Sequence, residues 1–309
     1  MYPLPARKAG RSPGAVVTIG MFDGVHLGHQ RLIRTAIRLA ARLQAASVVL
    51  TFDPDPQTVL APRQPQPRLM PLAARLRLMR ALGVERIRVL PFTRAFSRLS
   101  AEQFVRTILV QRLRAACVVV GDNFAFGRAR RGNVAVLRAL GRRYGLRVVV
   151  VPPVMRGRAP VSSSRIRRLL EAGRILEANR LLGRPAQLAG LVVRGERRAR
   201  RLGFPTANLR LSNELLPPRG VYHVQLELGG RCHEGVMNLG VRPTFTAAKQ
   251  GFIHPLVCEV HLIGFRGNVY GRPVTVHLLR RLRPERRFAG AKALARQIRR
   301  DVLRVRPSK

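Results

Sequence analysis

The sequence predicts an α/β protein in two parts: a parallel sheet with helices on its faces, then a small antiparallel β-barrel with a C-terminal helix. Three observations carry this. Short apolar runs alternate with amphipathic helical patterns as far as about residue 182, the rhythm of repeated βα units. After Gly183-Arg184-Pro185 the helical period gives way to short β-branched segments parted by Gly, Pro or Asn, as in small barrels. A last amphipathic stretch, about 288–304, closes the chain. With 309 residues and 46% hydrophobic composition, both parts can bury a core.

The elements follow in order. Ala15–Gly20 is a short apolar strand that runs into a Gly-containing turn. From His26 to about Leu43 the apolar residues Leu32, Ile33, Ala36, Ile37 and Ala40 form one helical stripe. Strand Ser47–Phe52 comes next, then a Pro-rich loop through Pro67. The rhythm repeats with helix 71–82, strand 86–90, helix 101–114 after Ser100, strand Cys117–Gly121, helix 133–144 and strand Arg147–Val151. Two short helices around 164–182 complete the first part. Segments 187–194, 220–229, 232–239, 255–263 and 273–281 read as barrel strands.

Charge narrows the classes. The chain carries 58 Lys+Arg against 15 Asp+Glu, a formal net charge of +43, and its lysines are Lys8, Lys249, Lys292 and Lys309 alone. Arginine is scattered through helices, strands and loops alike, as with Arg31, Arg34, Arg38 and Arg42 on one helix. That pattern reads as a compositional bias, not a nucleic-acid footprint, although the field favours anionic ligands. No apolar run approaches the ~20 residues of a membrane span, and the stretch around Pro3, Pro5 and Pro13 lacks the apolar core of a secretory signal. Cys117, Cys232 and Cys258 share no metal-ligand spacing and are too few for a disulfide framework, so a cytoplasmic protein is expected.

Histidine placement is informative. Two of the seven histidines precede residue 187, and both lie in GMFDGVHLGH (Gly20–His29). His26 and His29 are i,i+3 neighbours on one helical face. They follow a strand directly, and so sit at the carboxyl end of a parallel sheet, where α/β proteins bind ligands. The adjoining helix N-terminus offers free N–H groups and a positive dipole. Two imidazoles there suit transfer at phosphorus, because they can donate to oxygens that gain charge.

HLGH resembles the HxGH signature of the nucleotidyltransferase superfamily. The wider string VTIGMFDGVHLGHQRLI (Val17–Ile33) resembles the bacterial bifunctional riboflavin kinase/FAD synthetase family. Three further segments are similar to that family in order. TFDPDP (Thr51–Pro56) resembles TFxPHP with Asp55 in the histidine place; VVVGDNFAFGRARRGN (Val118–Asn133) resembles the flavin-side segment; SSSRIRRLL (Ser162–Leu170) resembles SSTRIRxLL with Ser164 for threonine. The resemblance implies an N-terminal Rossmann-like nucleotidyltransferase domain, 1–183, that adenylylates FMN. His26 and His29 would hold ATP phosphates. Arg165, beside Ser163 and Ser164, would stabilise the transition state and the leaving pyrophosphate. Gly20, Phe22, Asp23, Gly24 and Gly28 would complete the ATP site, although Asp23 equally suits an Asx-type turn. Asn123 would meet nucleotide or flavin phosphates, with Phe124 or Phe126 against the flavin ring; core packing suits both phenylalanines equally well.

Downstream, RLGFPTANL (Arg201–Leu209) resembles the GFPTAN motif of riboflavin kinases, and GVMNLGVRPTF (Gly235–Phe245) and Phe265–Phe288 follow in family order. Thr206 and Asn208 alternate along an extended segment and so point the same way, toward a hydrated Mg²⁺ and ATP phosphate, with Gly203 beside them. Alone, the string would read as a polar edge strand. Among the acids after residue 184, Glu259 in VCEVHL aligns with the family's catalytic glutamate and would take a ribityl hydroxyl proton. Glu285 reads as an ion-pair partner of neighbouring arginines, and His223, His233, His254 and His277 as ordinary surface or barrel residues. One departure stands out: the Gly-rich loop GxGRGRxLGFPTAN reads GERRARRLGFPTAN here, with Arg197 and Ala199 replacing glycines.

The expected protein is thus a two-step enzyme, with riboflavin kinase over 184–309. Its ligands are riboflavin, FMN and ATP with Mg²⁺; no membrane or nucleic-acid partner is expected, and the oligomeric state is left open. Two rival readings stay open: an FMN adenylyltransferase with a weak or inactive kinase half, and an RNA-binding protein on an inactive scaffold.

Overall fold

The computed structural model describes residues 14–63, 66–195, 203–241, 256–286 and 288–305. By their contacts they form two units, one of residues up to 66 with Arg75–Val161, the other of Pro67–Ala74 with Ser162 onward.

In the first unit β1 (Ala15–Ile19), α1 (Leu27–Arg42), β2 (Ser47–Asp53), α2 (Pro56–Leu60) and α3 (Leu72–Ala81), which belongs to this unit from Arg75 on, lead to β3 (Arg86–Pro91). Then come α4 (Arg94–Ser97), α5 (Ala101–Gln103), which runs into a π-helix over Phe104–Arg112, and β4 (Ala115–Gly121). A 3₁₀ turn (Arg128–Arg130), α6 (Val134–Tyr144), β5 (Arg147–Val151) and a two-stranded hairpin of β6 (Met155–Arg156) and β7 (Ala159–Pro160) follow. The five main strands are ordered β3-β2-β1-β4-β5, all parallel. Their apolar runs pack on both faces, as a covered parallel sheet requires. Val16, Cys117 and Val119 meet Ala36 and Ala40 of α1 on one face. Val17, Val118 and Val120 meet Phe104, Val105 and Leu137 on the other. β1 lies at the centre of the sheet between β2 and β4, so the loop that follows it emerges at the point where the strand order reverses.

Three features depart from the sequence reading. Residues 104–112, expected as ordinary helix, adopt the wider π turn, with Leu113 N–H donating to Ile108 O at 3.0 Å. The Pro-rich loop contains α2, capped by Asp55, whose Oδ1 accepts from Gln57 N–H at 2.8 Å. The aspartate in the place of the family's histidine therefore works as a helix cap. The hairpin of β6 and β7 was not expected at all; two-residue strands have no readable period.

In the second unit α7 (Ser163–Glu171) and α8 (Ile175–Leu182) precede β8 (Ala186–Val193), β9 (Thr206–Leu211), β10 (Gly220–Leu228), β11 (Arg231–Val241), β12 (Leu256–Leu262) and β13 (Pro273–Pro284). These six strands close a barrel in the order β10-β11-β12-β9-β8-β13, every pairing antiparallel. Alternation puts Tyr222, Val224, Leu226, Met237, Val260 and Val276 inside. The last helix, α9 (Ala291–Leu303), lays Val302 with Val305 over Val221 and Val236 on the outer surface. Asp301, 1% exposed, anchors it: Arg283 Nε and Nη2 donate to Oδ2 at 2.9 and 2.8 Å, and Gln297 Nε2 donates to Oδ1 at 3.0 Å.

Candidate active sites

The first site grows from the end of β1. Gly20 N–H donates to Leu50 O at 3.1 Å, and there the β1–β2 ladder stops. The chain then turns through backbone that L-residues rarely adopt, with Phe22 at φ 52° and Val25 at φ 39°. Such conformations cost about 1–3 kcal/mol each and persist where surrounding contacts over-determine them. Several contacts do so here. Val25 N–H donates to Phe22 O at 2.9 Å, Gln30 Nε2 donates to Val25 O at 3.0 Å, and Phe22 is completely buried. Asp23 is buried in the same turn, and Gly24 takes φ 80°.

The turn delivers His26 as the N-cap of α1. Its Nδ1 accepts from His29 N–H at 3.3 Å, so its ring proton sits on Nε2. The His26 and His29 rings stack at 3.6 Å with 17° between planes, and Phe22 meets the edge of His29 at 5.3 Å. Gly28 makes that stack possible. A Cβ there would lie 3.1 Å from His26 Cε1 and 3.2 Å from Nδ1. Gly20 serves Phe22 in a milder way, since its Cβ would lie 3.3 Å from that ring. The result is an imidazole pair beside a helix N-terminus at the carboxyl end of a central strand, suited to hold an anion.

The neighbouring strand β4 ends at Gly121, next to exposed Asn123 and half-buried Phe124. Phe126 is buried and stacks on Phe124 with ring centroids 5.3 Å apart. It is a core side chain: Gly132 pairs with it across a β-bridge and leaves room for its ring. Tilted and edge contacts continue through Phe104, Phe96, Phe92 and Phe52, each pair within 6.2 Å. The half-buried Phe52, Phe92 and Phe96 did not stand out in the sequence; their spacing shows no period, and only the sheet gathers them.

In the second unit, α7 begins at Ser163, and the hydroxyl of Ser162 caps it by accepting from Arg165 N–H at 3.3 Å. Ser163, Ser164 and Arg165 therefore occupy its first turn, at the positive end of the helix dipole. Their contacts group them with the barrel.

The barrel site lies on β9 and β12. β9 is paired on both sides, with β12 and with β8, so it is not the edge strand that TAN alone suggests. Asn208 stands opposite Glu259, and Thr206 opposite His261. Cys258, Val260 and Leu262 point inward, which turns Glu259 and His261 to the outer face with Thr206 and Asn208. Asn238 on β11 is Glu259's other cross-strand neighbour. Asn208 is only 9% exposed, and a Cβ on Gly195 would overlap its amide, so the first glycine of the loop is a packing requirement. His261 Nδ1 bonds Pro205 O at 2.8 Å and its ring meets Phe204 edge-on at 5.5 Å, fixing the PTAN approach; Gly203 precedes it at φ 84°. Burial pushes the Cys258 thiol up to about 12, with the Glu259 charge adding to the effect. A hydroxyl, an amide oxygen and a carboxylate form a hard-oxygen donor set, suited to a divalent ion that keeps substrate phosphates as its other ligands. Among the described residues no three His, Cys, Asp or Glu side chains form a metal cluster by themselves. Arg197, Ala199 and His254 lie outside the described residues.

Of the arginines near Glu285, Arg283 pairs with Asp301, Arg287 lies outside the described residues, and the Glu285 carboxylate lies over Gly240. Two of the histidines read as surface or barrel residues bond glutamates on the outer barrel wall: His223 Nε2 bonds Glu234 at 2.6 Å and His277 Nε2 bonds Glu227 at 3.1 Å. Strand register brings these pairs together, which spacing along the chain does not reveal.

Known proteins match the chain in two regions. The family model described as FAD synthetase matches residues 8–165, and that described as riboflavin kinase matches residues 182–308. The bifunctional riboflavin kinase/FMN adenylyltransferase of Pseudomonas fluorescens is 40% identical over 95% of this chain and 92% of its own length. The protein of that name from Escherichia coli K12 is 36% identical over the same shares. A crystal structure from Streptococcus pneumoniae, described as a macrolide-efflux protein, superposes with a TM-score of 0.84 at 30% identity and covers 97% of this chain and 96% of that one. No described helix here is long and apolar enough to cross a membrane.

Proposed function

The chain belongs to the bifunctional riboflavin kinase/FMN adenylyltransferase family, FAD synthetase region first and riboflavin kinase region second, and from that premise we propose which residues perform each reaction. Both reactions consume ATP. The observation that carries the first assignment is the stacked His26–His29 pair at the N-terminus of α1. In adenylyl transfer the FMN phosphate attacks the α-phosphorus of ATP, and the bond to the bridging oxygen breaks to release pyrophosphate. The nucleophile is already anionic near neutral pH, so alignment and charge stabilisation are what the protein supplies. His26 donates from Nε2 to a phosphate oxygen, and His29 with the N-terminal end of α1 holds the rest of the polyphosphate. Gly20, Phe22, Asp23 and Gly24 shape the turn, and Gly28 makes room for the ring. Ser163, Ser164 and Arg165 stabilise the pyrophosphate, a role supported by the resemblance of their segment and by their place at the N-terminus of α7. Asn123 contacts phosphate, and Phe124, backed by Phe126, packs on the flavin.

In the kinase reaction Glu259 accepts the proton of the ribityl hydroxyl as its oxygen attacks the γ-phosphorus and ADP leaves. Thr206 and Asn208, beside Gly203, hold a divalent ion with the ATP phosphates. That ion, taken to be Mg²⁺, supplies charge neutralisation when bound. The boundary between the activities is proposed at residue 183, where helices give way to barrel strands. A cytoplasmic location completes the reading, supported by three free cysteines.

The test is a time course resolving riboflavin, FMN and FAD after adding riboflavin, ATP and Mg²⁺. His26→Ala/His29→Ala should accumulate FMN and form no FAD. Glu259→Gln should form no FMN yet adenylylate added FMN. Loss of both steps in either folded variant would overturn the assignment.

A further inference from the structure

Among the described residues, Arg75 on α3 is the most deeply buried arginine, at 1% exposed. Burying a guanidinium costs several kcal/mol unless its donors are well used. Arg75 spends two of them on backbone. Nη1 donates to Met21 O at 2.8 Å, and Nη2 donates to Phe52 O at 3.3 Å. Thr51 Oγ1 approaches the same Met21 oxygen at 3.4 Å. The place is telling. The β1–β2 ladder ends at Gly20, and Met21 is the residue immediately before Phe22 and the positive-φ turn that hands the chain to His26. Past the ladder, side-chain donors take over the task of fixing the backbone.

We infer that Arg75 is a positioning residue for adenylyl transfer: its planar fork ties the Met21 carbonyl to β2, and so holds the strained turn that sets His26 as helix cap and stacks its ring on His29. The hydrogen bonds from Arg75 to Met21 O and Phe52 O fall on the turn and on β2, and it acts on the histidines through that backbone. The fork geometry is what matters, because lysine has the charge but cannot reach two carbonyls in one plane. The inference rests on the assignment of His26 and His29 to this reaction.

The experiment measures both reactions on the full-length protein, with FAD formation from FMN and ATP and FMN formation from riboflavin and ATP run in parallel. Arg75→Met should lower kcat for FAD formation on the order of 100-fold, the cost of a reacting group misplaced by about 1 Å, with KM for ATP changed by less than about threefold. FMN formation should be unchanged. Arg75→Lys should keep the folded fraction of the parent, read by circular dichroism, while FAD formation still falls about tenfold. If FAD formation in Arg75→Lys tracks only the folded fraction, or if either variant retains the parent's kcat, Arg75 is a packing residue and the inference is wrong. A loss seen in KM alone also overturns it. His26→Ala is run alongside: retained FAD formation in that variant sinks the underlying assignment, and its loss beside a normal Arg75→Met sinks the Arg75 inference alone.

Discussion

Gly28→Ala separates stability from catalysis at a single atom. The added Cβ would stand 3.1 Å from His26 Cε1 and 3.2 Å from Nδ1, closer than carbon atoms pack comfortably at ~3.5–4.0 Å. The obstacle is the free end of a side chain, so the fold gives way there and the ring swings out. Swinging breaks the cap from His29 N–H to His26 Nδ1, worth about 1 kcal/mol. Against that, alanine favours helix over glycine by up to about 1 kcal/mol. The two nearly cancel, and the melting temperature should move by no more than a few degrees. Catalysis has no such offset. A ring that has lost its cap no longer holds its place, and the misplacement should cost on the order of 10–100-fold in FAD formation, while FMN formation from riboflavin continues at the parent rate. Calorimetry and chromatographic rates on one preparation check both halves. A variant that makes FAD within about threefold of the parent refutes the reasoning, since the ring would then not depend on the space that Gly28 leaves.

Three other outcomes follow from the structure. Asp301→Ala strands the nearly buried Arg283 guanidinium, at a cost of about 3–5 kcal/mol; α9 should then be the first segment released by limited trypsin digestion, and an unchanged digestion pattern would count against the anchor. With burial pushing Cys117 up to about 11 and Cys258 up to about 12, and Cys232 exposed, a thiol reagent near neutral pH should titrate one cysteine in the native protein and three after denaturation. The Tyr144 hydroxyl, then Arg143, hold the Glu102 carboxyl below the usual carboxylate range. Its contribution is therefore present above the unfolded value of about 4.3 and lost as pH falls through the lower folded value. The melting-temperature gap between parent and Glu102→Gln should be widest at neutral pH and close as the pH falls below the ordinary carboxylate range; a gap that ignores pH would show that the ion pair plays no part.

The βα rhythm and the barrel strands were legible because each buried strand is a run such as VVVG or an alternation such as VCEVHL, and each helix carries a stripe or a cap. The π-helix over Phe104–Arg112 was not, because nine residues present nearly the same apolar spacing at either pitch. At the sites, local chemistry was readable: scarce histidines beside a strand end, and the TAN string. What pairing decides was hidden. That Glu259 faces Asn208, and that β9 lies between two partners, depends on strands far apart in sequence. Arg75 was hidden differently. Nothing local distinguishes it from the arginines around it, and only burial does.

The strand order carries one more consequence, for life at high concentration. In the first unit β3 and β5 are left as outer strands, whereas the closed barrel has none. An open strand invites the backbone of another chain to dock alongside and seed aggregation. Here β3 exposes Arg86 and Arg88 and ends in Pro91, and β5 opens with Arg147. A second copy approaching strand to strand would bring guanidinium against guanidinium, and would meet a residue with no N–H to offer. An arginine excess that says nothing about catalysis thus helps keep the molecules apart, and concentrated salt, by shielding those charges, is the condition under which that protection should weaken first.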